Sequence, residues 1–298
     1  MISILIPTYN YNIQNLVLEV HKQCTHLNIN FEIICLEDGS TQHVASNKQH
    51  LSALPNTTIL HYKNNIGRTN ARLVLSNKAQ YDWLLFLDAD VKIINTNFIK
   101  TYISNLSKNT YDAIYGGFTY AKQKPKKDFL LRWKYGQVAE DVAANIRNKT
   151  PYKIVISANF LIKKALFNTL SSKIKIKSYG LDNYFGILLK QNNAQVKHLD
   201  NPVLHLGLDT SKAYLNKVEE AINALLTLLN KNKIQAHQNK LLHVFLRTKR
   251  YKLNYILYVV FILFNPLIKL NLLGNYPNIT LLQIYKLTYM CYTDLNLK

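Results

Sequence analysis

Asp88 and Asp90 stand one residue apart, directly after the apolar run Trp83–Leu87. Two carboxylates at that spacing in a strand-end turn can share a divalent cation, directly or through water, and oxygen donors favour Mg2+ or Mn2+. A D-x-D string by itself is common and usually a solvated turn. This one follows a buried strand, which sets it where open parallel sheets bind ligands, outside the carboxyl ends of the strands. A second acid, Asp38, ends another apolar run in Glu37-Asp38-Gly39-Ser40, and a third run ends in Pro7-Thr8-Tyr9-Asn10. An aspartate at such an end can accept hydrogen bonds from a base N–H or ribose hydroxyls. Taken alone, Asp-Gly is also an ordinary turn.

The segment Asn65-Ile-Gly67-Arg68-Thr-Asn-Ala-Arg72 adds cations. Gly67 precedes a helical pattern, and Arg68 and Arg72 fall four residues apart on one face, which suits anion contacts near a helix start. Two solvated arginines are the plainer alternative. There is no Walker string and no G-x-G-x-x-G after the first strand, so a P-loop NTPase or a nicotinamide enzyme is poorly supported.

These residues need a frame, and the first 90 residues predict one. Ser3–Ile6 is a short apolar strand, and Ile13, Leu16, Val17, Val20 and Leu27 recur at helical spacing. Phe31–Leu36 and Thr58–His61 read as further strands, followed by a helix through Ala71, Leu73, Val74 and Leu75 and the strand Trp83–Leu87. Alternating strands and helices, with strands apolar on both faces, predict a mostly parallel sheet flanked by helices. Further on the pattern predicts a strand over Tyr111–Tyr120, a basic loop Lys122–Lys127, a helix from Leu130 to Arg147, and a strand over Ile154–Ile162. An amphipathic helix over Ser211–Leu229 should keep Glu219 and Glu220 wet. The composition changes near residue 235, so two domains are expected, 1–235 and a basic, apolar, helical 236–298.

That last region holds Leu253–Phe264 without a charge, between Lys249-Arg250-Tyr-Lys252 and Asn265-Pro266. A spanning helix needs about 20 predominantly apolar residues. This run falls short of that and meets a proline. Tyrosines among leucines beside Lys and Arg suit a segment lying in the headgroup layer; a buried C-terminal helix pair is the alternative, and a true span the remaining one.

Composition narrows the class. With 37 Lys+Arg against 17 Asp+Glu the formal charge is +20 over 298 residues, and 48% of residues are hydrophobic, enough for a sizeable core and against disorder. Such charge fits nucleic acid, an anionic membrane or phosphorylated substrates. No recognised nucleic-acid module is visible and the aromatics sit in apolar runs, so nucleic acid is not an expected partner. Three cysteines without CxxC spacing exclude a disulfide scaffold and a zinc ribbon and fit a reducing compartment. The opening MISILIPTYN reads as a strand, not a signal peptide.

Taken together, SILIPTYN, LEDGS, NNIGRTNAR and LLFLDAD resemble the family 2 glycosyltransferases of the GT-A fold, strongly over residues 1–120 and weakly to about 230 through Tyr179–Gly186 and His205-Leu-Gly207. The resemblance implies an α/β GT-A fold with a Rossmann-like sheet, a nucleotide-diphosphate sugar donor, a glycan or lipid-linked acceptor, and Mn2+ or Mg2+. By the same resemblance Pro7, Thr8 and Asn10 would line the nucleoside pocket, Asp38 would bind base or ribose, and Gly67 and Arg72 would sit by the nucleotide. Asp88 would touch ribose or metal and Asp90 would ligate the metal. His205 resembles a late histidine that in some members approaches it, though a packed histidine reads equally well. Asp182 falls where inverting members carry a catalytic base, preceded here by Leu181 in place of a second acid. Asp182 also reads as a helix N-cap, and both roles are compatible. Gly180 and Gly186 would let backbone approach the sugar.

The expected protein is therefore an inverting hexosyltransferase-like enzyme of cell-envelope or polysaccharide synthesis. It would be cytoplasmic and peripheral at the inner membrane face, where its basic tail meets anionic lipid. A non-catalytic glycan- or membrane-binding protein of the same fold is the alternative. A nucleotidyltransferase, a same-fold rival, should carry a glycine-rich loop where Thr8-Tyr9-Asn10-Tyr11 stands.

Overall fold

The computed structural model describes residues 1–106, 110–174, 176, 178–231, 233–235 and 239–297. In chain order the elements are β1 (Ile2–Thr8), α1 (Gln14–His26), β2 (Phe31–Asp38), α2 (Val44–Leu51), β3 (Thr57–Tyr62), α3 (Arg68–Lys78), β4 (Trp83–Leu87), β5 (Val91–Ile93), α4 (Phe98–Leu106), β6 (Ala113–Tyr115) and β7 (Phe118–Tyr120). There follow α5 (Leu130–Ala139), α6 (Ala144–Arg147), β8 (Asn159–Lys163), α7 (Lys164–Ser171), α8 (Asp182–Gln191), β9 (Val196–His198), β10 (Val203–His205), α9 (Ser211–Asn230), α10 (Lys240–Arg250), α11 (Leu253–Leu272) and α12 (Ile279–Asn296). They divide into two compact units: one of Met1–Ala121, Glu140–Lys177 and Leu188–Gly207, the other of Lys122–Ala139, Ser178–Ile187 and Leu208–Lys298. The boundary expected after residue 235 adjoins residues 236–238, which lie outside the described residues.

In the first unit the described strands form a seven-stranded sheet, β3-β2-β1-β4-β8-β6-β9, and a three-stranded sheet, β5-β10-β7. Strands β1 to β4 run parallel, while β8 is antiparallel to both its neighbours. The mostly parallel α/β architecture expected from the sequence is present. Its centre explains why it was readable: Ile4, Leu5, Ile6, Ile33, Leu84, Leu85 and Phe86 are buried, as strands covered on both faces must be. Phe86 stacks on Phe160 of β8 with centroids 5.0 Å apart.

Where the expected elements differ, polar contacts explain it. The run Tyr111–Tyr120 is two short strands in different sheets, parted at Gly116-Gly117. A Cβ on Gly116 would collide with Asn159 and Tyr102, and Gly117 has φ +100°. The helix expected from Leu130 to Arg147 stops at Ala139 and restarts at Ala144. Between the two, Glu140 accepts from the Tyr120 hydroxyl and Asp141 from Thr119 Oγ1, 2.7 Å. The strand expected from Ile154 begins only at Asn159, because Ser157 and Ala158 spend their carbonyls on Arg72 and on the Asp88 N–H.

A buried polar knot closes this unit. The Arg147 guanidinium donates to the carbonyl of Leu199 (2.8 Å) and to His198 Nδ1 (2.8 Å), and His198 Nε2 donates to the Pro151 carbonyl (2.8 Å). This fixes a neutral, Nε2-protonated ring. Burial chiefly, and the Arg147 charge with it, push the His198 pKa down to about 4, against the opposing pull of the Pro151 carbonyl. The unfolded histidine takes up a proton near pH 6.5 and the folded one only near 4, so stability is lost as pH falls through that window. Urea unfolding should show about 3 kcal/mol less stability at pH 4 than at pH 7 from this residue, and His198→Gln should flatten that slope.

The second unit is helical. Thr210 caps α9, its Oγ1 accepting from Ala213 N–H at 3.2 Å. Glu220 is exposed, but Glu219 departs from the expected wet face. It accepts from the Tyr285 hydroxyl of α12 and pairs with Lys269 Nζ of α11 at 3.2 Å. Nor does Pro266 end its helix: α11 runs through it to Leu272, 20 residues in all, long and apolar enough to cross a membrane by length and composition. Packing on α12 through Phe261, whose ring lies 4.7 Å from Tyr292, carries the helix past the lost backbone bond.

Candidate active site

The carboxyl ends of β1, β2 and β4 meet the loop Asn64–Gly67 at one rim of the first unit. Register aligns Thr8 with Glu37 and Asp38 with Tyr62. Pro7 is half-buried; Thr8 is buried, its hydroxyl donating to the Ile6 carbonyl at 3.4 Å. Asn10, at φ +50°, stitches two strand ends together: its Oδ1 accepts from the Thr41 N–H (2.7 Å) and the Gln42 N–H (3.0 Å). Asp38 does the same for the third. Its Oδ1 accepts from the Ile66 N–H (2.7 Å) and its Oδ2 from the Gly67 N–H (3.0 Å). Gly39 must be glycine there, since its φ is +72° and a Cβ would strike the Asn65 backbone. Gly67, at φ +86° with nothing near its Cβ position, leads into α3.

From α3 the two arginines converge on Asp88. Buried Arg72 donates through Nη2 to Asp88 Oδ1 at 2.6 Å and to the Ser157 carbonyl at 2.8 Å, and half-exposed Arg68 donates to Asp88 Oδ2. Two guanidiniums on one carboxylate leave a local surplus of one positive charge at a helix start, the electrostatics an anionic ligand needs. Both Asp88 oxygens are thus held by cations.

Asp90 is set by β10. The register pairs His205 with Val91, and the Leu206 N–H donates to the Asp90 carbonyl at 2.9 Å. His205 Nε2 lies 3.2 Å from Asp90 Oδ2; a carboxylate only accepts, so that nitrogen carries the proton. The ring is packed against Phe118, centroids 4.7 Å apart, and its Nδ1 is buried without a hydrogen-bond partner. Burial works against ionising Asp90, but the His205 hydrogen bond, the His205 and Arg68 charges and a backbone bond outweigh it and hold the carboxyl below its ordinary value. The same charge, after burial, raises the Tyr11 hydroxyl, so Tyr11 is a site neighbour that no sequence pattern flagged.

Gly207 is another. A Cβ there would collide with the Asp90 carboxylate, so the chain passes the aspartate with no room for a side chain. Gly207→Ala should displace Asp90 and lower kcat/KM roughly 100-fold with an unchanged melting temperature, checked by steady-state kinetics beside thermal unfolding.

Asp182 belongs to the second unit, in the first turn of α8. It is the first helical residue, one place inside the N-cap expected for it. Leu181 precedes it, buried, and gives its carbonyl to the Phe185 N–H at 2.8 Å. Among the described residues none donates a hydrogen bond to the Asp182 carboxylate. Gly180, at φ +83°, lies where a Cβ would meet Ala221 of α9, so its freedom serves the packing of the helix entry.

The donor set suits a hard cation in part. No group of three His, Cys, Asp or Glu gathers among the described residues. A Mg2+-like ion nonetheless needs only one or two carboxylates when substrate phosphates and water fill the rest, and Asp90 with His205 beside it can offer that.

A family model described as Glycosyl transferase family 2 matches residues 3–171. The comparison with curated proteins gives no match. Among solved structures, residues 1–349 of S. aureus TarS superpose with TM-score 0.51 at 19% identity, over 76% of this chain and 65% of that one. The S. aureus TarS structure without that truncation gives 0.51 at 17% over 76% and 39%. TarS 1–349 in complex with UDP-GlcNAc gives 0.51 at 16% over 76% and 66%. The chain therefore spans about two thirds of the TarS fragment and less than half of the longer TarS chain. At these identities the likeness is one of fold.

Proposed function

The chain belongs to glycosyl transferase family 2, and from that premise we propose that it moves a sugar, with inversion, from a nucleotide-diphosphate sugar to a glycan or lipid-linked acceptor hydroxyl. One observation carries the reading: an ionised Asp90, fixed by His205 and Gly207, beside the carboxylate that Arg68 and Arg72 hold. Asp90 is the residue that would hold a divalent cation, its carboxylate steadied by the His205 Nε2–H. When bound, that cation neutralises charge building on the departing diphosphate. The rest is done by the chain. Thr8, Asn10 and Asp38 order the strand ends that receive the nucleoside, and Arg68 and Arg72 supply positive potential for the diphosphate. Asp182 takes the proton from the acceptor hydroxyl as the new bond forms, and attack opposite the leaving group inverts the anomeric carbon.

The second reading, a binding protein without turnover, has one feature in its favour. The position before Asp182, where inverting relatives carry an acid, is a buried leucine in this chain. A panel of nucleotide sugars, with UDP-sugars first because a fold neighbour was solved with UDP-GlcNAc, separates the two. Nucleoside diphosphate should be released with one donor at a rate that Mn2+ or Mg2+ raises and EDTA removes. Donor binding without release across the panel would sink the transferase reading.

A further inference from the structure

One face of α11 is apolar and bare. Ile256, Val259, Leu263, Leu267 and Leu270 follow one another at steps of three and four, a single stripe on the helix, and all five are exposed, Leu263 at 64% and Leu270 at 73%. The helix is about 30 Å long. Its other face is spent on α12, with Phe261, Ile268 and Leu272 buried and Phe261 set among Tyr285, Tyr289 and Tyr292.

Cations stand at both ends of the stripe. At its start are Arg247, Arg250 and Lys252, all exposed. Beyond its end Tyr276, 79% exposed, carries Lys124 Nζ at 5.2 Å from its ring, and Lys124 belongs to the run Lys122–Lys127, in which Lys126 and Lys127 add to the charge. We propose that this face of α11 is a docking surface for an anionic lipid bilayer, with the helix lying in the headgroup layer, its stripe in the acyl boundary and the two basic clusters on the phosphates.

Two observations select this occupant. A spanning helix would carry its own partner contacts into hydrocarbon, among them the Lys269–Glu219 ion pair at 3.2 Å and the buried Asn254, and charges and unpaired amides are costly there. A second copy packed stripe to stripe would set basic ends against basic ends in either orientation, because both ends carry the same sign. Anionic lipid alone satisfies the stripe and both ends. The proposal does not depend on the transferase reading.

Flotation of the full-length chain with phosphatidylglycerol-containing and pure phosphatidylcholine vesicles tests it. Wild type should float with the anionic vesicles at least tenfold better than with the neutral ones, less so at high salt. Leu263→Asp/Leu267→Asp, both at exposed positions, should keep the helical circular dichroism and lose roughly 100-fold or more in vesicle affinity. Arg250→Glu/Lys252→Glu should lose roughly tenfold on anionic vesicles only. Leu263→Trp should shift its emission to the blue on binding. Several results would overturn the proposal: equal flotation of wild type and the double aspartate variant, no flotation of wild type, resistance to alkaline carbonate extraction as an integral protein, or a wild-type dimer that the aspartates split without any vesicle binding.

Discussion

Asp90→Asn should lower kcat/KM for sugar transfer by roughly 10²–10³ while the protein unfolds at the same temperature as wild type. Asparagine preserves the shape and can still accept from His205 Nε2, so the local packing against Gly207 survives. What disappears is the negative charge of Asp90, whose Oδ2 faces His205 Nε2. If that charge holds the cation, Mn2+ titration in the presence of nucleoside diphosphate should weaken in step with turnover, and raising Mn2+ should recover part of the lost rate. Turnover at the wild-type level in Asp90→Asn would remove the cation from this position. The direction of the Asp90 shift adds a pH statement. A carboxyl held below its ordinary value of 3.8 stays charged as the medium is acidified, so its share of donor binding should persist down to about pH 4 and fall only below that.

How much of this site could be read from residues alone follows from how far each contact reaches along the chain. The strand ends were legible because β1, β2 and β4 are apolar on both faces and stop abruptly at Thr8, Asp38 and Asp88, a local signal. Arg72 was legible as a cation at the helix start, but its use of the Ser157 carbonyl was not, since that pairing spans 85 residues and turns an expected strand into loop. The union of Asp90 with His205 spans 115 residues and rests on two three-residue strands, β5 and β10, too short for any alternation to appear, so only the family resemblance brought the two together. Gly207 entered only as the last residue of the string His205-Leu-Gly207, and its place beside Asp90 had no signal, for its importance lies in what an absent Cβ leaves room for. Asp38 shows the converse. Its position at a strand end suggested a ligand contact, while both its oxygens are engaged by the N–H groups of the loop that opens α3. Glu219 and Pro266 failed for one common reason: helix periodicity predicts an exposed face and a break, but packing among α9, α11 and α12 pulled the acid inward and carried the helix past the proline.

Asp182→Asn is expected to cut kcat by roughly 10²–10⁴ with little change in KM for the donor. The acceptor hydroxyl is a weak nucleophile, and an amide oxygen at the same place cannot take its proton. The substitution costs the fold little: the carboxylate receives no hydrogen bond among the described residues, and α8 holds through the Leu181 carbonyl, the buried Leu181 side chain and the Gly180 approach to Ala221. A structural role alone would lower the melting temperature and donor affinity together with kcat, whereas a proton acceptor lowers kcat alone. Isothermal titration of donor beside single-turnover kinetics separates the two. Unchanged kcat in Asp182→Asn would move the base elsewhere. Equal donor binding with no transfer in variant and wild type alike would instead make the buried Leu181 the mark of a protein that holds nucleotide sugar without using it.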